Sequence, residues 1–137
     1  MEKVSRMILK GRVVNGGNVS GEAVVLNIPF SFIGDFDLSS GCLSRGHPME
    51  GQSLAGKILV CPTGKGGTVA PYIAYEAMKA NIAPVAILCQ KADPILALCA
   101  ITIDIPMMDR IEGDIIHQIV TGDRVQVLGD TGMVILD

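Results

Sequence analysis

The segment from Lys57 to Ala80 constrains the fold more than any other part of the sequence. It holds the apolar run Ile58-Leu59-Val60-Cys61, then Pro62 and a glycine-rich loop, and then apolar residues at helical spacing from about Pro71. A strand, a loop and a helix in this order expose backbone N–H groups at the amino end of the helix, where an anion is stabilised. The segment therefore predicts an α/β domain organised around an anion-binding loop.

The flanking sequence predicts β structure on both sides of this centre. Apolar runs between turn residues predict strands from Met7 to Pro29, and residues 124–137 predict a hairpin. Residues 84–89 read as a second buried parallel strand, and Asp93-Pro94 predicts an N-cap and the start of a helix over residues 94–100. The predicted fold class is α/β, with a barrel-like β part around a central βαβα unit, in one domain spanning residues 1–137.

Three further segments complete the prediction. Residues 30–51 hold all three phenylalanines and little periodicity, which is typical of a long, irregular and functional loop. Residues 103–108, interrupted by Pro106, predict a short edge or extended segment, and residues 114–120 predict a last short helix.

Composition excludes several classes of protein. The net charge of −3 and the pI near 5.3 argue against a nucleic-acid binder, which normally carries a basic stripe. Hydrophobic residues make up 49% of the sequence, but no apolar run reaches the roughly 18–20 residues that a membrane-spanning helix needs. The first residues lack the pattern of a signal peptide. We expect a soluble, cytoplasmic protein that contacts neither membrane nor nucleic acid.

The four cysteines do not follow a metal-binding pattern. They form no CxxC pair, and no histidine lies at zinc-finger spacing from them. Cys61 and Cys89 lie inside apolar runs, where a reduced cysteine packs as a small hydrophobic residue. No metal site is expected within this chain.

The loop Gly64-Lys65-Gly66-Gly67-Thr68 leaves two interpretations open. Its glycines do not match a phosphate-binding P-loop or a dinucleotide fingerprint, so it is either a tight strand-to-helix connection or a substrate-binding loop, which Lys65 favours. Thr68 either caps the following helix or supplies a catalytic hydroxyl. An alkoxide at Thr68 needs N–H donors or a cation to stabilise it.

The long loop contributes two weaker candidates for substrate binding. Arg45 is suited to clamp a carboxylate or a phosphate, although a solvated arginine is an equal alternative. His47 lies between Gly46 and Pro48, where a hydrogen-bonded structural histidine competes with an acid or base. No Ser-His-Asp order and no cluster of metal ligands emerges from the residues themselves.

Several segments, taken in order, resemble the small subunit of the aconitase-X family, whose archaeal members include phosphomevalonate dehydratase. They extend over nearly the whole chain. The segments are GRVVNGG from Gly11, SGEA from Ser20, FSFIG from Phe30, GHPMEGQSLAGK from Gly46, PTGKG from Pro62 and KADP from Lys91.

The resemblance implies a swivelling β/β/α domain that docks on a separate, larger catalytic subunit. In that family the large subunit holds a [4Fe–4S] cluster that acts as a Lewis acid, and the reaction removes water from a hydroxy acid. The implied substrate is a small anionic hydroxy acid, first of all mevalonate 5-phosphate, which is dehydrated to anhydromevalonate phosphate in isoprenoid synthesis. The resemblance thus implies a hydro-lyase subunit that is active only with its large partner.

One residue departs from the family pattern. The family loop continues after Gly-Lys/Arg-Gly with a serine, the expected proton acceptor, but Gly67 stands in that place here and Thr68 follows it. Either Thr68 supplies the hydroxyl, or the chain is a divergent member with another base or a hydroxyproline-like substrate. A non-catalytic anion-binding or regulatory module and a purely structural partner subunit are the alternatives of a different class.

Overall fold

The computed structural model describes residues 7–137. Residues 1–6 of the predicted domain, which are the first half of the N-terminal segment that lacks a signal-peptide pattern, lie outside the described residues. The four helices are α1 Phe32–Asp35, α2 Ala70–Lys79, α3 Pro94–Ile103 and α4 Ile115–Gln118. The ten strands are β1 Met7–Lys10, β2 Arg12–Asn15, β3 Asn18–Val25, β4 Phe36–Asp37, β5 Cys42–Leu43, β6 Ile58–Cys61, β7 Ala86–Cys89, β8 Met107–Asp109, β9 Arg124–Leu128 and β10 Met133–Leu136. No helix within residues 7–137 is both long and apolar enough to cross a lipid bilayer.

Eight of the strands form a nearly closed barrel. Their order is β1-β10-β9-β3-β6-β7-β8-β2, and the two end strands are consecutive in the sequence, joined only by Gly11. A Cβ atom at Gly11 would lie 2.7 Å from Ile111 Cγ1, so a residue without a side chain turns the corner between β1 and β2. The predicted α/β class with a barrel-like β part is confirmed.

The alternation of side chains along the central strands builds two separate cores. Ile58 and Val60 of β6 point into the barrel, whereas Leu59 and Cys61 face the helices. All four are completely buried, which explains why β6 reads as one continuous apolar run. β3, β6, β7 and β8 run parallel to one another, so their carboxyl ends meet at one edge of the barrel, and β2 pairs antiparallel with β8.

Most of the local predictions are confirmed. β9 and β10 form the expected hairpin, and α4 occupies the centre of the predicted last helix. Asp93 caps α3, since its Oδ2 accepts a hydrogen bond of 2.9 Å from the N–H of Leu96. The long loop is ordered around three buried phenylalanine rings in edge-to-face contact, Phe30, Phe32 and Phe36.

For residues 103–108 the edge alternative is wrong, whereas the extended alternative is confirmed for Met107 and Met108, which lie in β8. Ile103 ends α3, and β8 lies inside the sheet between β7 and β2. Pro106 precedes β8, where its missing N–H breaks no ladder bond, and its carbonyl accepts a hydrogen bond of 3.0 Å from Ile87. A three-residue strand shows no alternation of its own, so its position in the sheet depends on partners distant in the sequence.

Candidate substrate-binding site

The candidate site lies at the edge of the barrel where the four parallel strands end. The glycine loop follows β6, and the loops after β7 and β8 are hydrogen-bonded to its base. Both Gln90 and Lys91 donate to the carbonyl of Pro62 at 3.1 Å, and Arg110 donates to the carbonyl of Gln90 at 3.1 Å. Ligands of open parallel sheets bind at this carboxyl edge, so the topology brings three loops to one potential site.

Gly64 anchors the loop against the start of α3. A Cβ atom at this position would lie 2.8 Å from Leu96 Cβ and 2.9 Å from both Asp93 Cβ and Asp93 Oδ2. The backbone of Phe30 holds the loop on its other side, with Lys65 N–H donating to the carbonyl of Phe30 at 3.2 Å. Gly64 is therefore required for close packing and not for an unusual backbone angle.

The loop then presents a row of backbone donors. Gly66 and Gly67 have φ values of +82° and +98°, in the region that favours glycine. Within residues 7–137, the N–H groups from Gly66 to Val69 donate to no protein acceptor, whereas Ala70 N–H already bonds to the carbonyl of Gly67. Four consecutive free donors just before α2 favour the anion-binding interpretation over a simple connection.

Lys65 is ion-paired and does not offer a free charge. Its Nζ lies 3.0 Å from Oδ2 and 3.3 Å from Oδ1 of Asp35, a carboxylate that is almost completely buried. The same Oδ2 accepts the N–H of Ser31 at 3.0 Å. An incoming anion therefore meets the free N–H groups together with a lysine whose charge is already balanced.

Ser31 connects this ion pair to the loop. Its Oγ donates to the carbonyl of Gly66 and accepts the N–H of Ile33, both at 3.0 Å. Neither Ser31 nor Asp35 was predicted from the sequence as part of the site. Ser31 is the N-cap of α1, and a serine followed four positions later by an aspartate was the available signal, although this spacing is one residue longer than that of a capping box.

Thr68 is exposed and does not cap α2. The N-cap of α2 is Val69, and no side chain accepts a hydrogen bond there. The capping interpretation of Thr68 is therefore wrong, and within the described part of the chain its hydroxyl has no hydrogen-bond partner.

The long loop reaches the site through Asp35. The N–H of Ser44 donates to the carbonyl of Asp35 at 2.9 Å, which places Arg45 one residue from that contact. The Arg45 side chain is exposed and has no ion-pair partner among residues 7–137. His47 Nδ1 accepts the N–H of Met49 at 2.9 Å, so this histidine stabilises its own turn.

An ion pair between exposed Arg12 and buried Asp109 fixes the end of β8 and the loop after β7 beside the site. The side chain of Asp109 is fully buried, and Arg12 donates to both of its oxygens at 2.8 Å. The N–H of Ala92 donates to the same carboxylate at 2.8 Å. Burial raises the pKa of Asp109, but these hydrogen bonds and the charges of Arg12 and Arg110 outweigh burial and hold the pKa below its ordinary value.

Residues 7–137 do not fit an iron–sulfur cluster. The Sγ atoms of Cys61 and Cys89 lie 3.6 Å apart in the helix-facing core, and Cys99 is also buried. Burial, with the charge of Asp93, raises the pKa of Cys99 to about 12, which opposes the thiolate that a metal requires. No group of three or more cysteine, histidine or acidic side chains is placed to hold a metal ion in this part of the chain.

The barrel and the flanking helix pair define an α/β domain of the swivelling β/β/α class. The family profile of the aconitase X swivel domain matches residues 8–136. The chain belongs to the aconitase X swivel-domain family, as the sequence predicted.

Named relatives cover almost the same length. The phosphomevalonate dehydratase small subunit of Thermococcus kodakarensis is 43% identical over 93% of this chain and 95% of the relative. The protein of the same name from Methanocella arvoryzae is 40% identical over 93% of this chain and 98% of the relative. The crystal structure of Thermococcus kodakaraensis aconitase X in its holo form superposes with a TM-score of 0.88 at 42% identity, covering 96% of this chain and 98% of that one.

Proposed function

We propose that this chain is the small subunit of a two-subunit hydro-lyase that dehydrates mevalonate 5-phosphate. The observation that carries the proposal is the row of free N–H donors from Gly66 to Val69, on a chain whose relatives bear the name phosphomevalonate dehydratase small subunit. The predicted hydro-lyase function agrees with these relatives along almost their full length.

The partner is a larger subunit that carries the iron–sulfur cluster. The relatives are named small subunits, and the cysteines described above are unsuited to ligate iron. Each subunit then supplies a different part of the chemistry, and the substrate is enclosed between them, where water is excluded.

The residues of this chain bind the substrate and take up a proton. The loop donors hold the substrate carboxylate, and this hydrogen bonding helps to stabilise the negative charge that develops when a proton leaves the neighbouring carbon. Thr68 is the proposed proton acceptor, since its exposed hydroxyl follows directly after the two glycines of the donor row. The hydroxyl must first lose its own proton to solvent, and the free N–H groups of the loop stabilise the alkoxide that then takes the proton from carbon. The hydroxyl group of the substrate leaves towards the partner subunit.

Anaerobic co-purification with the large subunit tests the proposal. We expect a brown heteromer that converts mevalonate 5-phosphate to an unsaturated product, measured by mass spectrometry as the loss of one water. A chain that stays colourless and without a partner, in cells that express the large subunit, would instead support a non-catalytic anion-binding module. A heteromer that dehydrates a hydroxyproline but not mevalonate 5-phosphate would reassign the substrate.

Thr68→Ala should lower the turnover number of the heteromer by about 100-fold or more, the scale on which general acid–base groups contribute. Thr131 provides a matched control, because it is also exposed and lies in the β9–β10 turn at the opposite edge of the barrel. Thr131→Ala should leave turnover unchanged. Equal turnover in Thr68→Ala and the wild type would exclude Thr68 as the proton acceptor while leaving the family membership intact.

A further inference from the structure

The peptide unit that joins Gly66 to Gly67 is the part of the donor row whose orientation the local sequence leaves open. A glycine lies on each side of it, with φ values of +82° and +98°, so no Cβ atom restricts its rotation. Turning this unit over would exchange the directions of the Gly66 carbonyl and the Gly67 N–H. The orientation therefore depends on a contact with another part of the chain.

Ser31 supplies that contact. Its hydroxyl donates a hydrogen bond of 3.0 Å to the carbonyl of Gly66, and within residues 7–137 no other group donates to this carbonyl. The peptide bond is trans, so the N–H of Gly67 points away from the Gly66 carbonyl and from Ser31. Because Ser31 is buried and Gly67 is exposed, this N–H points outward.

The hydroxyl of Ser31 is itself held in place. Its Oγ accepts the N–H of Ile33 at 3.0 Å, which leaves the hydroxyl proton for the Gly66 carbonyl. The N–H of Ser31 donates to Asp35 Oδ2 at 3.0 Å, and this carboxylate is ion-paired with Lys65. The loop lysine and the loop carbonyl are thus both bound to one short segment.

Capping of α1 alone does not account for this arrangement. Ser31 is the N-cap of α1, but that helix has four residues, and its backbone leaves the helical region at Ile33 and Gly34. One turn of helix is marginal and gains little from a cap. The bond from Ser31 to a loop 35 positions away is therefore the larger structural consequence of the hydroxyl.

From this geometry we infer that Ser31 is a positioning residue of the dehydration, whose hydroxyl orients the Gly66–Gly67 peptide so that the N–H of Gly67 faces the substrate carboxylate. The inference rests on the proposed function and adds a residue that the mechanism above does not use. Ser31 lies on the buried side of the loop and acts through this donor. Without its hydroxyl, the peptide is free to turn over and present the Gly66 carbonyl, which repels a carboxylate.

The test compares Ser31→Ala with the wild type in the complete heteromer. Removing one donor to a developing negative charge costs about 100-fold or more in turnover. The peptide of Ser31→Ala still adopts the productive orientation for part of the time, so its turnover number should fall by about 10- to 100-fold. The KM for mevalonate 5-phosphate should change less, because the donor acts most strongly on the charge of the transition state.

Two further variants at the same position separate the hydroxyl from packing. Ser31→Thr keeps the hydroxyl, and the extended backbone of this N-cap suits a threonine, so turnover should return close to that of the wild type. Ser31→Cys fills the position with a weak donor and should show the loss even where Ser31→Ala fails to fold. A Ser31→Thr heteromer as slow as Ser31→Cys, at an unchanged Tm, would overturn the inference.

Ser53→Ala is the matched control. The hydroxyl of Ser53 also accepts the N–H two residues later, that of Ala55 at 3.2 Å, but within residues 7–137 it forms no hydrogen bond with the glycine loop. Ser53→Ala therefore loses the same kind of local bond and should leave turnover unchanged. Unchanged turnover in Ser31→Ala, or an equal fall in both variants, would overturn the inference.

Nuclear magnetic resonance of the isotope-labelled full chain gives a comparison without turnover. The three-bond coupling between the amide and α protons of Gly67 reports its φ, which changes when the peptide turns over. We expect this coupling to differ from the wild type in Ser31→Ala and to equal it in Ser53→Ala. An unchanged coupling in Ser31→Ala would contradict the positioning role, whereas a wild-type heteromer that does not dehydrate mevalonate 5-phosphate would contradict the proposed function instead.

Discussion

Gly64→Ala should destabilise the protein by about 3 kcal/mol and abolish most of the activity of the heteromer. The new Cβ would lie within 2.9 Å of Leu96 Cβ and of the Cβ and Oδ2 atoms of Asp93, none of which is the free end of a flexible side chain. Overpacking of this kind costs about 1–3 kcal/mol, and displacing the Asp93 cap costs about 1 kcal/mol more. Because α3 and the loop must move apart, the donor row also loses its alignment with the substrate, which costs about 100-fold in turnover.

Thermal unfolding of the isolated chain measures the first effect, and we expect a fall in Tm of about 10 °C. Gly66→Ala is the matched control, because a Cβ at Gly66 meets no atom within 4 Å. Its positive φ leaves only a strain of about 1–2 kcal/mol. Equal Tm values for Gly64→Ala and the wild type would contradict the close packing of α3 on the loop.

Asp109→Asn should lower the free energy of unfolding by about 2 kcal/mol at pH 7. The amide keeps the volume of the side chain but loses the charge that binds both donors of Arg12. The loss stays below the 3–5 kcal/mol that is common for a broken buried pair, because Arg12 is more than half exposed and water solvates it. Denaturant unfolding at pH 7 measures the difference.

The same variant should show a distinct dependence on pH. The folded-state pKa of Asp109 is below its ordinary value near 3.8, so its ionised form stabilises the fold above that value. This stabilisation is lost as the pH falls through the folded-state pKa. The free energies of unfolding of the wild type and of Asp109→Asn should then converge. Glu22→Gln, which breaks an exposed ion pair with Lys57, should change stability little at pH 7. A constant difference between Asp109→Asn and the wild type down to pH 2 would contradict this assignment.

The loop illustrates how far the sequence could describe the site. Its glycines, its lysine and the helix after it were recognisable because they are consecutive, and their backbone requirements are local. The ion pair of Lys65 could not be recognised from the sequence, because its partner Asp35 lies thirty positions earlier in the irregular loop. The possibility that Thr68 caps α2 was inferred from its residue type alone, whereas the actual N-cap of α2 is Val69.

The sequence by itself determined the fold class, the loop and the family of this protein. These follow from local patterns: continuous apolar strands, a proline and an aspartate at the start of α3, and motifs spread over nearly the whole chain. Family membership then predicted a large partner subunit and a hydroxy-acid substrate.

Only the tertiary structure decided which side chains surround the loop. Arg12 and Asp109 are 97 positions apart in the sequence and form a bidentate pair across β2 and β8. The parallel arrangement of β6, β7 and β8 brings Lys91 and Arg110 to the edge that carries the glycine loop. The physical reason is that closing the barrel pairs strands that are distant in the chain. Side chains at one edge therefore become neighbours because their strands are hydrogen-bonded to each other, and the spacing of these side chains in the sequence does not show it.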